Sequence, residues 1–148
     1  MSTHKSATPS LIECTDEIPL HFVRGNQSGI LLCIIASVIT QQWWILLLPL
    51  AVQIISRTYG IRYNVFVRIL APIIPRSIKT ESRELLRFNN LLAILFLVAS
   101  LVAFALGETI VAYVFLTMLT VAVVLALCGF CLGCFMYFQW KQFRARYR

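Results

Sequence analysis

Charge is what this chain has least of. Six residues are acidic and thirteen are Lys or Arg, so 13% of its 148 residues are charged, where a soluble domain carries about one quarter. Every carboxylate lies outside the long apolar runs, so no acidic pair is placed for general acid–base work. A proton-coupled carrier would normally need an ionisable group at the bilayer centre, and none is there. No glycine-rich phosphate loop and no HExxH motif occurs. The first twenty residues have no basic start leading into an apolar core, which excludes a cleavable signal peptide of the usual form. No catalytic signature of a known kind and no cofactor motif is visible, and an enzyme is the less favoured reading.

Apolar residues fill the space that charge leaves. They make up 59% of the chain, and the mean hydropathy of +0.82 identifies a bilayer as its solvent. Four apolar segments follow, at 20–40, 43–59, 89–106 and 109–131. A helix needs about 20 residues to cross about 30 Å of hydrocarbon. The first and fourth reach that length, while the second and third are shorter and lean on interfacial Trp43, Trp44 and Tyr59 or on local thinning. Backbone hydrogen bonding inside lipid leaves helices as the form. The short gaps Gln41-Gln42 and Gly107-Glu108 fold each pair into an antiparallel hairpin.

The expected fold is therefore an all-α membrane protein, with four transmembrane helices as two tandem hairpins within residues 19–140. Residues 1–18 form a flexible arm, Pro19 marks the start of the first helix, and 141–148 are a basic tail. All thirteen Lys and Arg lie on one side: Lys5 and Arg24 before the first segment, seven from Arg57 to Arg87, and four after Trp140. The other side carries Glu108. The positive-inside bias places both termini and the central loop in the cytoplasm, as expected for the inner membrane of a bacterium. The net charge of +7 is then a topology signal, not a nucleic-acid footprint.

Two helix starts look alike. Arg24-Gly25-Asn26-Gln27 precedes the body of the first segment and Arg87-Phe88-Asn89-Asn90 that of the third, with Ala36-Ser37 and Ala99-Ser100 at the same offset. This reads as a tandem duplication of one hairpin. Each copy sets a guanidinium and two carboxamides at the cytoplasmic end of a helix. Singly, such residues snorkel and cap. Together, Arg24, Asn26, Gln27, Arg87, Asn89 and Asn90 would converge on a small pocket suited to an anion. In the central loop, Phe66, Ile69, Leu70 and Ile73 recur at helical spacing beside Arg62, Arg68 and Arg76, which suits a short helix in the inner interface, ended by Pro72 and Pro75. A second short helix is expected after Thr80.

Cys128, Cys131 and Cys134 are spaced by three, and Cys131-Leu132-Gly133-Cys134 is a C-x-x-C motif at the cytoplasmic boundary, where stable disulfides do not persist. Four readings remain open. Gly129-x-x-x-Gly133 and the cysteines suit close helix packing. Cys131 and Cys134 suit a thiol redox pair or sulfur relay. Metal ligation would require a fourth ligand, for which His21, Cys33 and Cys14 are the candidates. Lipid attachment is the fourth. A continuous helix through 109–140 would place the thiols near a helix C-terminus, which disfavours thiolate; a break at Gly129 would reverse this.

Val23-Arg24-Gly25-Asn26-Gln27, Arg87-Phe88-Asn89-Asn90, and Gly129 to Cys134 followed by Tyr137 and Phe138-Gln139-Trp140-Lys141-Gln142 resemble the motifs of a bacterial membrane family, domain of unknown function 4395. The likeness runs from about Ile18 to the C-terminus. The second motif departs from the family pattern in carrying Asn90 where Gln is commoner. The resemblance implies a small integral membrane protein, some relatives of which are associated with thioredoxin-like or sulfurtransferase partners, and favours thiol or small sulfur-anion handling with Cys131 and Cys134 as the thiol pair. The rivals are a non-enzymatic membrane subunit or scaffold, and a small transporter or channel component built as a homo-oligomer.

Overall fold

The computed structural model describes residues 17–76, 78, 80–128 and 132–147, with the backbone alone at 82, 85 and 132–137. The elements run β1 (Glu17–Pro19), α1 (Leu20–Thr40), a 3-10 turn at Trp43–Leu46, α2 (Leu47–Tyr59), a second such turn at Ile61–Tyr63, and α3 (Val65–Leu70). They continue with β2 (Thr80–Ser82), α4 (Arg83–Ala105), α5 (Thr109–Leu127) and α6 (Leu132–Arg146).

Helix α1 starts directly after Pro19 and stops where Gln41 turns left-handed, its N–H closing on the Ser37 carbonyl. Helices α4 and α5 are joined by a tight turn in which Gly107 has φ of 81°, a region that costs a side-chain-bearing residue strain. Among the described residues, three helices are long and apolar enough to cross a membrane: Leu20–Thr40, Leu86–Ala105 and Thr109–Leu127. The segment Trp43–Tyr59 is shorter, because its first turn is 3-10 and its α-helical part has 13 residues. The helix expected after Thr80 is the start of α4, since no Gly or Pro separates Arg83 from Asn89 and nothing interrupts the helix between them.

The bundle core is aliphatic. Ile30 on α1, Leu46, Leu97 on α4, and Leu116, Leu119 and Val123 on α5 pack into one cluster. Ser100 is buried among them and satisfies its hydroxyl by donating to the Ala112 carbonyl across the α4–α5 interface at 3.1 Å. Helix α1 lies along α5, and α2 along α4. The first hairpin is splayed: α1 and α2 touch little, because α3 is wedged against α1.

The wedge depends on two glycines. A Cβ on Gly29 would lie 2.2 Å from Phe66 Cγ, and one on Gly25 would lie 3.3 Å from the Ala71 backbone nitrogen. Without side chains at these two positions, one helical turn apart, α3 can approach α1 closely and bury Phe66 and Val67. The short helix expected to lie in the interface is thus docked into the bundle on one side. Ile69 and Ile73, 60% and 75% exposed, remain on the outside.

A two-stranded antiparallel ribbon, absent from the all-α expectation, pairs Glu17 with Ser82, Ile18 with Glu81 and Pro19 with Thr80. Ile18 packs with Val23 and Leu86 beneath it, so the starts of α1 and α4 are tied together. Residues 17 and 18, assigned to the flexible arm on sequence, belong to this ribbon; 1–16 lie outside the described residues. The segment read as a basic tail continues as helix to Arg146.

Candidate functional site

The ribbon-tied end of the bundle carries Arg24, Arg57 and Arg87 and a buried layer of amides. Asn26, one turn and a half into α1, is 1% exposed. Its Oδ1 accepts from Gln53 Nε2 at 2.7 Å and from Asn64 Nδ2 at 2.6 Å, while its Nδ2 points to Gln53 Oε1 at 3.5 Å. Asn64 in turn caps α3, its Oδ1 accepting from the Phe66 and Val67 backbone N–H groups. One amide therefore joins α1, α2 and α3, and fills the polar gap opened by the splayed hairpin. Burying three carboxamides is tolerable only because they satisfy one another.

One turn further along α2, Ser56 accepts from Asn90 Nδ2 of α4 at 3.3 Å. Gln53 and Ser56 are both buried, and residues three apart share a helix face. Helix α2 thus connects the polar residues of α1 to those of α4. The six residues expected to converge are brought to one end of the bundle, but they differ in what they do. Asn26 makes three internal hydrogen bonds. Gln27 is buried and makes no side-chain hydrogen bond among the described residues. Arg24 is half-buried, with a buried Nε that has no partner among the described residues, and Asn90 has a buried Oδ1 in the same condition. Arg87 is exposed, and its backbone carbonyl accepts from Arg57 Nη1 at 2.9 Å. Asn89 is half-buried.

Gln53, Ser56 and Asn64 were missed on sequence. Gln53 and Ser56 were legible as two polar residues at helical spacing in an apolar stretch, and Asn64 as a capping residue just before Val65-Phe66-Val67.

The long helix expected through Thr109–Trp140 is two helices. Helix α5 ends at Leu127 with Cys128 as its exposed C-cap, and α6 begins at Leu132. Cys134 is the third residue of α6, in its first turn. Its side chain and the whole of Cys131 lie outside the described residues, as does Cys14. Cys33 is buried in the core cluster. It lies twelve residues along α1 from His21, about 18 Å by helical rise, so these two candidates cannot share a metal. Among the described residues no group of three His, Cys, Asp or Glu is placed to hold an ion.

The model of the family described as domain of unknown function, DUF4395, matches residues 18–142. The chain belongs to this family. The match begins in β1 and ends in α6, and so takes in the amide layer, the α3 wedge and the C-x-x-C motif. No curated protein matches the chain, and no solved structure does.

Proposed function

We propose that this is a four-helix protein of the bacterial cytoplasmic membrane, with both termini inside, in which Cys131 and Cys134 exchange a disulfide with a partner protein beside the amide layer. Three helices have the length and hydropathy of crossings. The 3-10 turn and α2 together rise about 28 Å, close to the about 30 Å of a bilayer core. Among the described residues, every Lys and Arg lies toward the ribbon end or on α6, and Glu108 stands alone at the other, which supports the orientation. The tandem duplication is supported by the packing of α1 on α5 and of α2 on α4. These two contacts exchange when α1 is matched to α4 and α2 to α5.

The observation that carries the thiol reading is the start of a new helix at Leu132. Cys134 is the third residue of that helix, and a first turn, where the dipole and free N–H groups favour thiolate, supports the reading. In the exchange, one thiolate attacks a disulfide of the partner and forms a mixed disulfide, expelling one partner thiolate. The second cysteine, losing its proton, then displaces the other partner sulfur. Two thiols of this chain are oxidised to a disulfide, and the partner disulfide is reduced to a dithiol. A thioredoxin-like or sulfurtransferase protein fits the partner's role. A small sulfur-containing anion would meet the unpartnered Arg24 and Gln27 in the same layer.

The alkylation rate of purified protein as a function of pH tests this reading. Cys131 and Cys134 should react as thiolate well below the ordinary cysteine range, and the low-pH reactivity should vanish in Cys131→Ser, Cys134→Ser. An ordinary profile for both would refute it.

A second reading is favoured by one observation: both acceptor positions of Asn26 Oδ1 are taken by Gln53 and Asn64 within the bundle. In a non-enzymatic membrane subunit the amide layer only holds α1, α2 and α3 together. Paired Cys131→Ala and Cys134→Ala changes would then leave cell growth and fold intact.

A further inference from the structure

A cleft of about 670 Å3 opens beside the start of α1, walled by His21, Phe22, Arg62, Arg68, Pro72 and Arg76. It belongs neither to the amide layer nor to the C-x-x-C segment. Its guanidiniums come from three separate pieces of backbone: the 3-10 turn at Ile61–Tyr63, helix α3, and the chain after the turn that ends α3. The α3 wedge brings them together, since its docking on Gly25 and Gly29 fixes Val67 and Ala71 as the floor of the same cleft.

None of Arg62, Arg68 and Arg76 forms an ion pair or side-chain hydrogen bond among the described residues. Three like charges around one concavity repel each other, and an anion is the partner that removes the repulsion. Guanidinium forks match the oxygens of a phosphate, with two N–H groups to two oxygens. The apolar surroundings select between anions. Phe22, Val67, Ala71 and Pro72 line the cleft, and the same short segment turns Ile69 and Ile73 outward at 60% and 75% exposure. A free inorganic anion gains nothing from that surface, whereas an amphiphile gains from both parts.

We propose that this cleft binds an anionic phospholipid, with the headgroup phosphate on Arg62, Arg68 and Arg76 and the acyl chains along Phe22, Ile69 and Ile73. The inference rests on the membrane placement proposed above but not on the thiol reading. The bound lipid would hold α3 in the inner leaflet from outside, as Phe66 holds it from inside.

Native mass spectrometry of the detergent-solubilised full chain tests it, with titration by phosphatidylglycerol, phosphatidylcholine or inorganic phosphate. Phosphatidylglycerol should bind saturably, and phosphatidylcholine should not compete. The triple change Arg62→Gln, Arg68→Gln, Arg76→Gln removes exposed side chains and leaves the core untouched. At about one factor of five per interfacial charge, its affinity should fall on the order of a hundredfold. The matched triple Lys141→Gln, Arg144→Gln, Arg146→Gln should bind as the wild type does. Equal losses in the two triples would reduce the effect to bulk charge and overturn the site. Inorganic phosphate binding as tightly as the lipid would overturn the lipid assignment. A Cys131→Ser, Cys134→Ser chain should bind lipid normally, so a failed thiol reading cannot be mistaken for a failed lipid site.

Discussion

Replacing Asn26 by alanine should destabilise the bundle by about 2–3 kcal/mol. The side chain is the shared acceptor of two short bonds, from Gln53 at 2.7 Å and Asn64 at 2.6 Å. Both donors are fully buried, so their N–H groups lose a partner without gaining water. An orphaned buried donor costs roughly 1–3 kcal/mol. Interhelical hydrogen bonds inside membranes average only about 0.6 kcal/mol and reach about 1.7. Two such bonds on the membrane scale give about 1.2–3.4 kcal/mol, which brackets the expected loss. Partial re-pairing of Asn64 Nδ2 with Gln53 Oε1 keeps the loss below the sum of two full orphan penalties. Reversible unfolding in mixed micelles would measure it. A double-mutant cycle with Gln53→Leu should return a coupling of about 1 kcal/mol, since each change removes the other's partner. Asn64→Ala should cost more than that contact alone, because it also uncaps α3, worth about 1 kcal/mol. Wild-type stability for Asn26→Ala, or strict additivity with Gln53→Leu, would refute the triad as the joint between the three helices.

Gly29→Ala places a methyl 2.2 Å from Phe66 Cγ, so it should cost about 1–3 kcal/mol. Combining it with Phe66→Ala should recover part of that loss in the same unfolding assay. Asn90→Ala loses one long bond to Ser56 and should cost less than Asn26→Ala; a larger loss would show that its buried oxygen has a structural partner. In folded protein a maleimide should label Cys128, which is exposed, and spare Cys33, which is buried in the core cluster; mass spectrometry of the labelled peptides distinguishes them. Ser100→Ala removes the hydroxyl bonded to the Ala112 carbonyl and should lower stability by about 1 kcal/mol, with Ser100→Thr not restoring it because the site is fully buried.

Much of the helical architecture was legible because long apolar runs leave helices as the form. The apolar runs gave α1, α4 and α5, and Gly107-Glu108 gave the turn between the last two, since a two-residue connection leaves no other geometry. The 3-10 turn at Trp43–Leu46 and the continuity of the helix expected after Thr80 with the third apolar segment were not legible, because hydropathy marks where an apolar run begins and not where hydrogen bonding does. The α3 wedge escaped for a different reason. Gly25 read as part of a polar helix start and Gly29 carried no reading, and only the approach of α3 shows that they are a docking surface. At the site, the matching positions of the α1 and α4 amides were legible, but α2 stands between them, with Gln53 bonded to Asn26 and Ser56 to Asn90. The roles did not follow: Asn26 is occupied by Gln53 and Asn64, residues that hydropathy places in a crossing and a loop. The end of α5 at Leu127 was foreseen only as a condition, a break at Gly129, since a glycine can either seam or end a helix.

Thiol trapping in intact cells tests the central claim most directly. A mass-shifting alkylating reagent is applied before and after a mild oxidant, to the wild type and to Cys131→Ser and Cys134→Ser. The account predicts a reversible shift that requires both cysteines, with a mixed disulfide to a partner accumulating when the resolving cysteine is removed. Thiols that stay fully reduced and unreactive under every condition would contradict it, and the C-x-x-C segment would then be helix packing.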